Sequence, residues 1–346
     1  MRSINYLALF SSLFCSAVFS DAIDNKALGP SREKIESEIK DVQKEFEDAK
    51  KIFNPWYTGP LLAPSAHIIP PRNYNLQPYL FITGNYGKYS ESGSFYSTPT
   101  LFQVNPQAVF QFGIIDWMDG IVTLQGLYNK ENNHSYFNIG DLPISLGFGL
   151  LKEGPYCPAL LFSIKETFPT GKYQNLNPEK GGIDGIGAGS YQTTFYLNTS
   201  KVVWWWSYAH PMAFRLSLEY TIPSTVKVKG FNTYGGGYGT NGKVHPGQSF
   251  AADFGYEFSF NQKWVGALDI VYNYSKSTHF SGYKGVDALG NEASLGGPFN
   301  DQLSLAPAIE YNVNENFGYI VGVWFTVWGR NSSAFASGVF SLSYTF

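Results

Sequence analysis

The sequence predicts an all-β fold, an antiparallel transmembrane β-barrel of about 12 strands with 14 as the alternative count, preceded by a short amphipathic helix. Three observations predict it. Long segments alternate apolar and polar residues, well beyond the ~5–6 residues usual for globular strands and near the ~9–11 that a tilted strand needs to cross a bilayer. Aromatic residues make up 17% of the chain and gather at segment ends, while mean hydropathy stays near neutral at −0.16, as expected where apolar and polar faces average out. The connections alternate between short and long, as periplasmic turns and outer loops do.

Residues 1–20 read as a signal peptide. Arg2 supplies the positive end, an apolar run extends from Tyr6 to Phe19, and small residues permit cleavage after Ser20 or Ala22. The run is too short to span a bilayer. Cys15 follows Phe14 rather than a small residue, which argues against lipid attachment. Cleavage leaves Cys157 as the sole cysteine, so no intramolecular disulfide is expected. No later stretch is long and apolar enough for a transmembrane helix. A net charge of −3 gives no reason to expect a nucleic-acid partner.

Residues 21–75 are expected to form a periplasmic helix and linker. Ser31 to Lys50 holds 12 of the 51 charged residues, and Ile35, Ile39, Val42, Phe46 and Ala49 recur at helical spacing as a narrow apolar stripe. Ser31 is the expected cap and Pro55 the stop. The helix reads as a solvated element, with a short intersubunit coiled coil as the second reading. Residues 54–75 contain Pro55, Pro60, Pro64, Pro70 and Pro71 without any period, and so predict an extended linker. In one variant this linker enters and plugs the barrel.

The barrel is assigned to residues 76–346. Its strands are expected at 76–87, 101–114, 120–129, 140–150, 157–168, 188–199, 210–222, 248–260, 263–276, 301–312, 316–328 and 335–346. The segment 248–260 shows the pattern well: Phe250, Phe254, Tyr256, Phe258 and Phe260 alternate with Ser249, Asp253, Glu257 and Ser259. Connections 88–100, 130–139, 169–187, 223–247, 277–300 and 329–334 are read as outer loops. Connections 115–119, 151–156, 200–209, 261–262 and 313–315 are read as periplasmic turns. The Trp204-Trp205-Trp206 run belongs to one of these turns, at the lipid interface. An open sheet edge is not tolerated in lipid, so the sheet is expected to close.

No pattern carries catalysis. His67, His134, His210, His245 and His279 fall in the linker, loops and a turn, and no pair has zinc-ligand spacing. The glycine-rich stretch from Gly181 to Gly189 is not a dinucleotide fingerprint and reads as a flexible outer loop. No enzyme activity, cofactor or metal is expected. Charge on the lipid face costs a few kcal/mol near the midplane, so Lys165, Arg215, Glu219, Asp253, Glu257, Asp269 and Glu310 are expected to face the lumen. The same phasing puts Trp324 and Trp328 inside. Glu166 falls on the lipid side and should lie near the outer rim or on a bulge.

Several stretches resemble a known family. They are Gly140-Asp141-Leu142-Pro143-Ile144-Ser145-Leu146-Gly147, Pro158-Ala159-Leu160-Leu161, Phe168-Pro169-Thr170-Gly171-Lys172-Tyr173 and Gly187-Ala188-Gly189-Ser190-Tyr191-Gln192. The hairpin from Tyr256 to Tyr274 with its Asn261-Gln262-Lys263-Trp264 turn, and the ending Phe340 to Phe346, add to them. Their order resembles the outer-membrane proteins named for the meta-pathway of phenol degradation, often labelled transporters. The resemblance covers residues 76–346. It implies a barrel and a passive route for small solutes, apolar or aromatic ones among them, and no catalytic residues. The terminal Phe346, with Phe340, Leu342 and Tyr344 at alternate positions, is similar to the signal read by the outer-membrane barrel assembly machinery. The expected location is therefore the outer membrane, with lipid, that machinery and a small solute as partners and the oligomeric state open. The alternative function is a surface or adhesion-type barrel whose outer loops, 223–247 and 277–300, bind a partner.

Overall fold

The computed structural model describes residues 31–52, 56–204, 207 and 209–346. The expected signal peptide, Pro55, Trp205 and Trp206 lie outside these residues, as do the side chains of Phe46 and Ala49.

The helix α1 (Arg32–Ile52) begins where expected: the Lys34 amide donates to the Ser31 hydroxyl at 3.3 Å, which satisfies one unpaired N–H of the first turn. Its apolar stripe stays exposed, with Ile35 at 44% and Ile39 at 58%.

The barrel wall is a closed antiparallel sheet. Its strands are β1 (Tyr74–Tyr89), β2 (Phe95–Ile115), β3 (Met118–Glu131), β4 (His134–Ile139), β5 (Leu142–Leu151), β6 (Ala159–Phe168), β7 (Gln192–Val203) and β8 (Met212–Pro223). They continue, after two short loop strands, with β11 (Ser249–Ser259), β12 (Trp264–Ser275), β14 (Asn300–Asn314), β15 (Phe317–Arg330) and β16 (Ser333–Thr345). Apart from β4 and β5, each wall strand pairs with its chain neighbours in the wall, and β16 pairs with β1 to close the ring. β4 and β5 pair with upper and lower parts of β3 and form one stave broken at Gly140-Asp141, which gives 12 staves. All the expected strand segments are present. The hairpin from Glu131 to His134 was not foreseen and lengthens β3 and β4 into the third and fourth staves.

The wall is apolar outside and polar inside. Leu124, Ile139, Ile309 and Val321 expose half or more of their surface, whereas Ser217, Glu257, Asp269, Ser304, Glu310 and Ser341 are fully buried. That inversion is what lipid outside and a polar interior demand. At the periplasmic end a chain of ring contacts runs across six strands. It passes through Phe112, Phe110, Tyr74, Phe346, Tyr344, Phe317, Tyr319, Tyr311 and Trp264, with centroids 4.7–6.1 Å apart. Such a belt fits the headgroup level, where an amphipathic ring is most stable.

Three loop strands form a second sheet at the outer end: β9 (Val226–Lys229), β10 (Asn241–His245) and β13 (His279–Tyr283), in the order β13-β10-β9. They occupy the loops 223–247 and 277–300, which sequence reading left without structure. Val226, Val228 and Val244 on one face are buried against Tyr173, Tyr234, Phe280 and Leu295. The loop after β6 is also tied down rather than loose. Asp141 accepts the amides of Gly171 at 2.9 Å and Ala188 at 2.8 Å, and Asp184 is buried against Lys172. The motif stretches at 140, 168 and 187 thus converge on one carboxylate.

Candidate functional site

The site is the barrel lumen, and its main feature is the linker. Residues 56–73 run inside the wall from β14 across to β2, instead of lying outside it in the periplasm. The reason lies in the backbone. Pro60, Pro64, Pro70 and Pro71 cannot donate, and the extended chain between them cannot satisfy its own N–H groups. The wall supplies the acceptors. The Thr58 amide donates to Glu310 Oε2 at 2.9 Å, and the amides of Leu62 and Ala63 donate to the two oxygens of Asp269 at 3.2 and 3.0 Å. The Ala66 amide donates to Ser200 Oγ at 3.0 Å. Each such hydrogen bond contributes about 0.5–1.5 kcal/mol net, and an N–H left unpaired in this buried setting would cost more.

Side chains add to the grip. Asn312 donates to the Trp56 carbonyl at 2.9 Å and accepts from Thr58 Oγ1 at 2.8 Å. Leu61, 1% exposed, packs with Ala267, Ala306, Ala308, Ile320 and Val339 of the wall. Ala66 packs with Ala159 and Leu161. The wall makes room by omitting side chains. A Cβ on Gly255 would stand 2.8 Å from Pro60 and 2.9 Å from Ala63, and one on Gly318 would stand 2.1 Å from Thr58 Oγ1. At the periplasmic turn, His67 Nε2 lies 3.2 Å from Glu153 Oε2. Burial would raise the Glu153 carboxyl, but His67, the Val202 amide and Lys201 together hold it below the usual carboxylate range.

The linker divides the lumen. On its outer side is a cavity of about 350 Å³ lined by Tyr79, Ile121, Leu161, Lys165, Tyr196 and Glu219, among others. On its periplasmic side is one of about 310 Å³ lined by residues such as Trp56, His67, Lys201 and Glu315. Arg215 borders both.

The inner-wall charges form two groups. Arg215 donates to Glu257 from Nε at 2.9 Å and from Nη2 at 3.4 Å, and Glu310 lies beside this pair. Asp269 and Asp253 continue the acidic side on β12 and β11. Next to them, Lys165 donates to the Tyr196 hydroxyl and faces Glu219, which in turn is near Asp253. Trp324 points inward but does not line the outer cavity. It packs beside Leu61, donates to Ser304 Oγ at 2.9 Å and meets Phe335 edge-on at 4.8 Å.

Trp328 departs from the expected lumen face. A bulge shifts the β14–β15 register between Leu303 and Ser304, so Trp328 pairs with Leu303 on the outward face and is 40% exposed there. An extra residue reverses side-chain parity, which strict alternation cannot register. Glu166 faces outward near the outer end of β6 and accepts from Thr193 Oγ1 at 2.7 Å. Phe340, Tyr344 and Phe346 face the lipid side with 44%, 47% and 56% exposure, and Leu342 lies between them in alternation.

Sequence reasoning missed Thr58, Leu61, Ala63, His67 and Glu153. Only the five prolines and the excess of inward acids hinted at them. Among the described residues no group of three or more His, Cys, Asp or Glu could hold a metal ion.

No family model matches the sequence, and no curated protein matches it. Solved structures do. An outer membrane channel from Pseudomonas putida F1 superposes with a TM-score of 0.60 at 10% identity, covering 82% of this chain and 98% of the other. The translocator domain of the autotransporter NalP from Neisseria meningitidis gives 0.43 at 10% identity, covering 91% and 98%. The toluene transporter TodX of Pseudomonas putida gives 0.35 at 11% identity, covering 80% and 89%. The last two are too distant to carry an argument. The first agrees with the strand topology in assigning this chain the fold of an outer-membrane β-barrel.

Proposed function

We propose that this protein is an outer-membrane channel for passive entry of small solutes, and that residues 56–73 form the plug that closes it from the periplasmic side. One observation carries the reading: a Pro-interrupted segment donates its backbone N–H groups to Glu310 and Asp269 between two cavities of the same lumen. Such a contact reverses more readily than a packed core, because water competes for both partners once the segment lifts. The outer cavity is of a size suited to one small molecule. Its walls combine Tyr79, Ile121 and Leu161 with Lys165 and Glu219, which suits solutes having an aromatic or apolar body and one polar group. The motif resemblance to the phenol-degradation barrels and the channel from P. putida point the same way. Assembly would use the terminal strand ending in Phe346, and export a cleaved leader.

The test is a reversible lock. Thr58→Cys and Asn312→Cys place two thiols where the side chains now meet at 2.8 Å. In a Cys157→Ser background, the oxidised double variant should admit no small phenolic or sugar solute into proteoliposomes, and reduction should restore the unlocked flux. Equal flux in both redox states, with the crosslink verified, would refute a moving plug.

A further inference from the structure

The outer three-stranded sheet has a second face. Lys227, Lys229, Lys243, His245 and His279 project from it and are exposed. In register, Lys227 stands directly opposite Lys243, and His245 directly opposite His279. Like charges directly opposite on one face destabilise a strand pair, so the Lys227–Lys243 row is tolerated at a cost that a bound anion would offset. The two acids of the loops that carry this sheet, and Asp184 of the neighbouring loop, are engaged elsewhere. Asp184 pairs with Lys172 and Glu292 with Lys284, while Asp287 accepts the amides of Leu289 and Asn291. Among the described residues, neither Lys227 nor Lys243 forms an ion pair.

The position of this face identifies the anion. Its apolar side packs inward on Tyr173 and Tyr234 of the loops, so the basic side looks outward, above the lipid-facing wall. At its foot is a cavity of about 650 Å³ bordered by His245, His279 and Lys276 above and by Tyr274 and Phe299 below. Tyr274 and Gln248 belong to the lipid-facing side of β12 and its partner, and Lys276 donates to Gln248 at 3.0 Å. Cationic groups therefore stand directly over aromatic rings at the outer rim, which is the vertical order of a phosphorylated headgroup over its acyl chains.

We propose that the outward face of this sheet, with the cavity at its foot, binds the phosphorylated headgroup of an outer-leaflet glycolipid. The lysines would neutralise phosphate, His279 would donate to its oxygens beside His245, whose ring nitrogens face Thr225 Oγ1 at 3.0 Å and Ser281 Oγ at 3.4 Å, and Tyr274 and Phe299 would lie against the first carbons of the chains. This inference rests on the barrel fold and not on the channel reading.

The mature full-length protein in detergent is titrated with bisphosphorylated lipid A, and bound lipid is read by native mass spectrometry. Dephosphorylated lipid A and inorganic phosphate serve as the comparison ligands. Lys227→Gln with Lys243→Gln, and separately Lys276→Gln, are the variants; Lys284→Gln, which touches only the Glu292 pair, is the control. At ~1 kcal/mol for each lysine near a charged surface, the double variant should bind roughly tenfold to thirtyfold more weakly. Loss of both phosphates should weaken binding at least as much, and the control should not. Equal binding by the double variant overturns the proposal. So does displacement of the lipid by equimolar inorganic phosphate, which would make the site one for free phosphate.

Discussion

Excision of residues 56–73 converts a closed barrel into a conducting one. The mature chain in a planar bilayer should show no sustained open level, and the deletion variant should show discrete, reproducible steps. The expected change is large because this segment lines both cavities, Trp56 and His67 the periplasmic one, Thr58 and Ala63 the outer one and Ser65 both, with Arg215 of the wall beside them. The wall itself does not depend on it for closure, since β16 pairs with β1 along the strand from Asn75 to Lys88. Retained strand content and resistance to unfolding would verify that the variant barrel is intact. Removal also bares Asp269, Glu310, Glu257 and Asp253 against Arg215 alone on that side, so the current should favour cations. Neutralising Asp269 and Glu310 in the deletion background should reduce that preference. A conducting variant without ion preference would leave the plug reading standing and count against the acidic wall.

Arg215→Ala should be the most destabilising single substitution in the lumen. The Arg215 and Glu257 side chains are only 11% and 0% exposed. Removing one partner of a buried pair leaves an uncompensated charge and costs about 3–5 kcal/mol. Arg215 also faces Glu310, so its loss removes the cation that both carboxyl groups share. Replacing both partners, as in Arg215→Met with Glu257→Leu, should recover most of the loss, because a buried pair is seldom better than well-packed apolar groups. Unfolding in denaturant with lipid vesicles present measures both. A loss below about 1 kcal/mol for the single variant would mean that water reaches this pair freely, as at a surface site.

The wall was legible in sequence because the strands are long and alternate, as in Phe250 to Phe260. Loop parity favoured twelve strands over the alternative of fourteen, and the wall has twelve staves. The legible part ended where parity or period failed. The bulge opposite Leu303 turned Trp328 outward, and nothing in the residues from Val323 to Trp328 announces it. The strands β9, β10 and β13 are too short, and too rich in Gly and Lys, to stand out from loop. The inward path of residues 56–73 was open to sequence reading only as a variant. The prolines there predict an extended chain, but its path is set by acceptors such as Asp269 and Glu310, more than two hundred residues away. Inward acids in a barrel read equally well as pore lining, and only their partners distinguish the two roles.

Hydrogen–deuterium exchange of the intact mature protein tests the central claim most directly. The amides of Thr58, Leu62, Ala63 and Ala66 donate to wall side chains. Peptides spanning residues 56–73 should therefore exchange far more slowly than an unstructured chain, though faster than those from β12 and β14, because the segment opens more readily than the wall. Exchange of 56–73 at the rate of an unstructured chain, with the wall strands protected, would contradict the account.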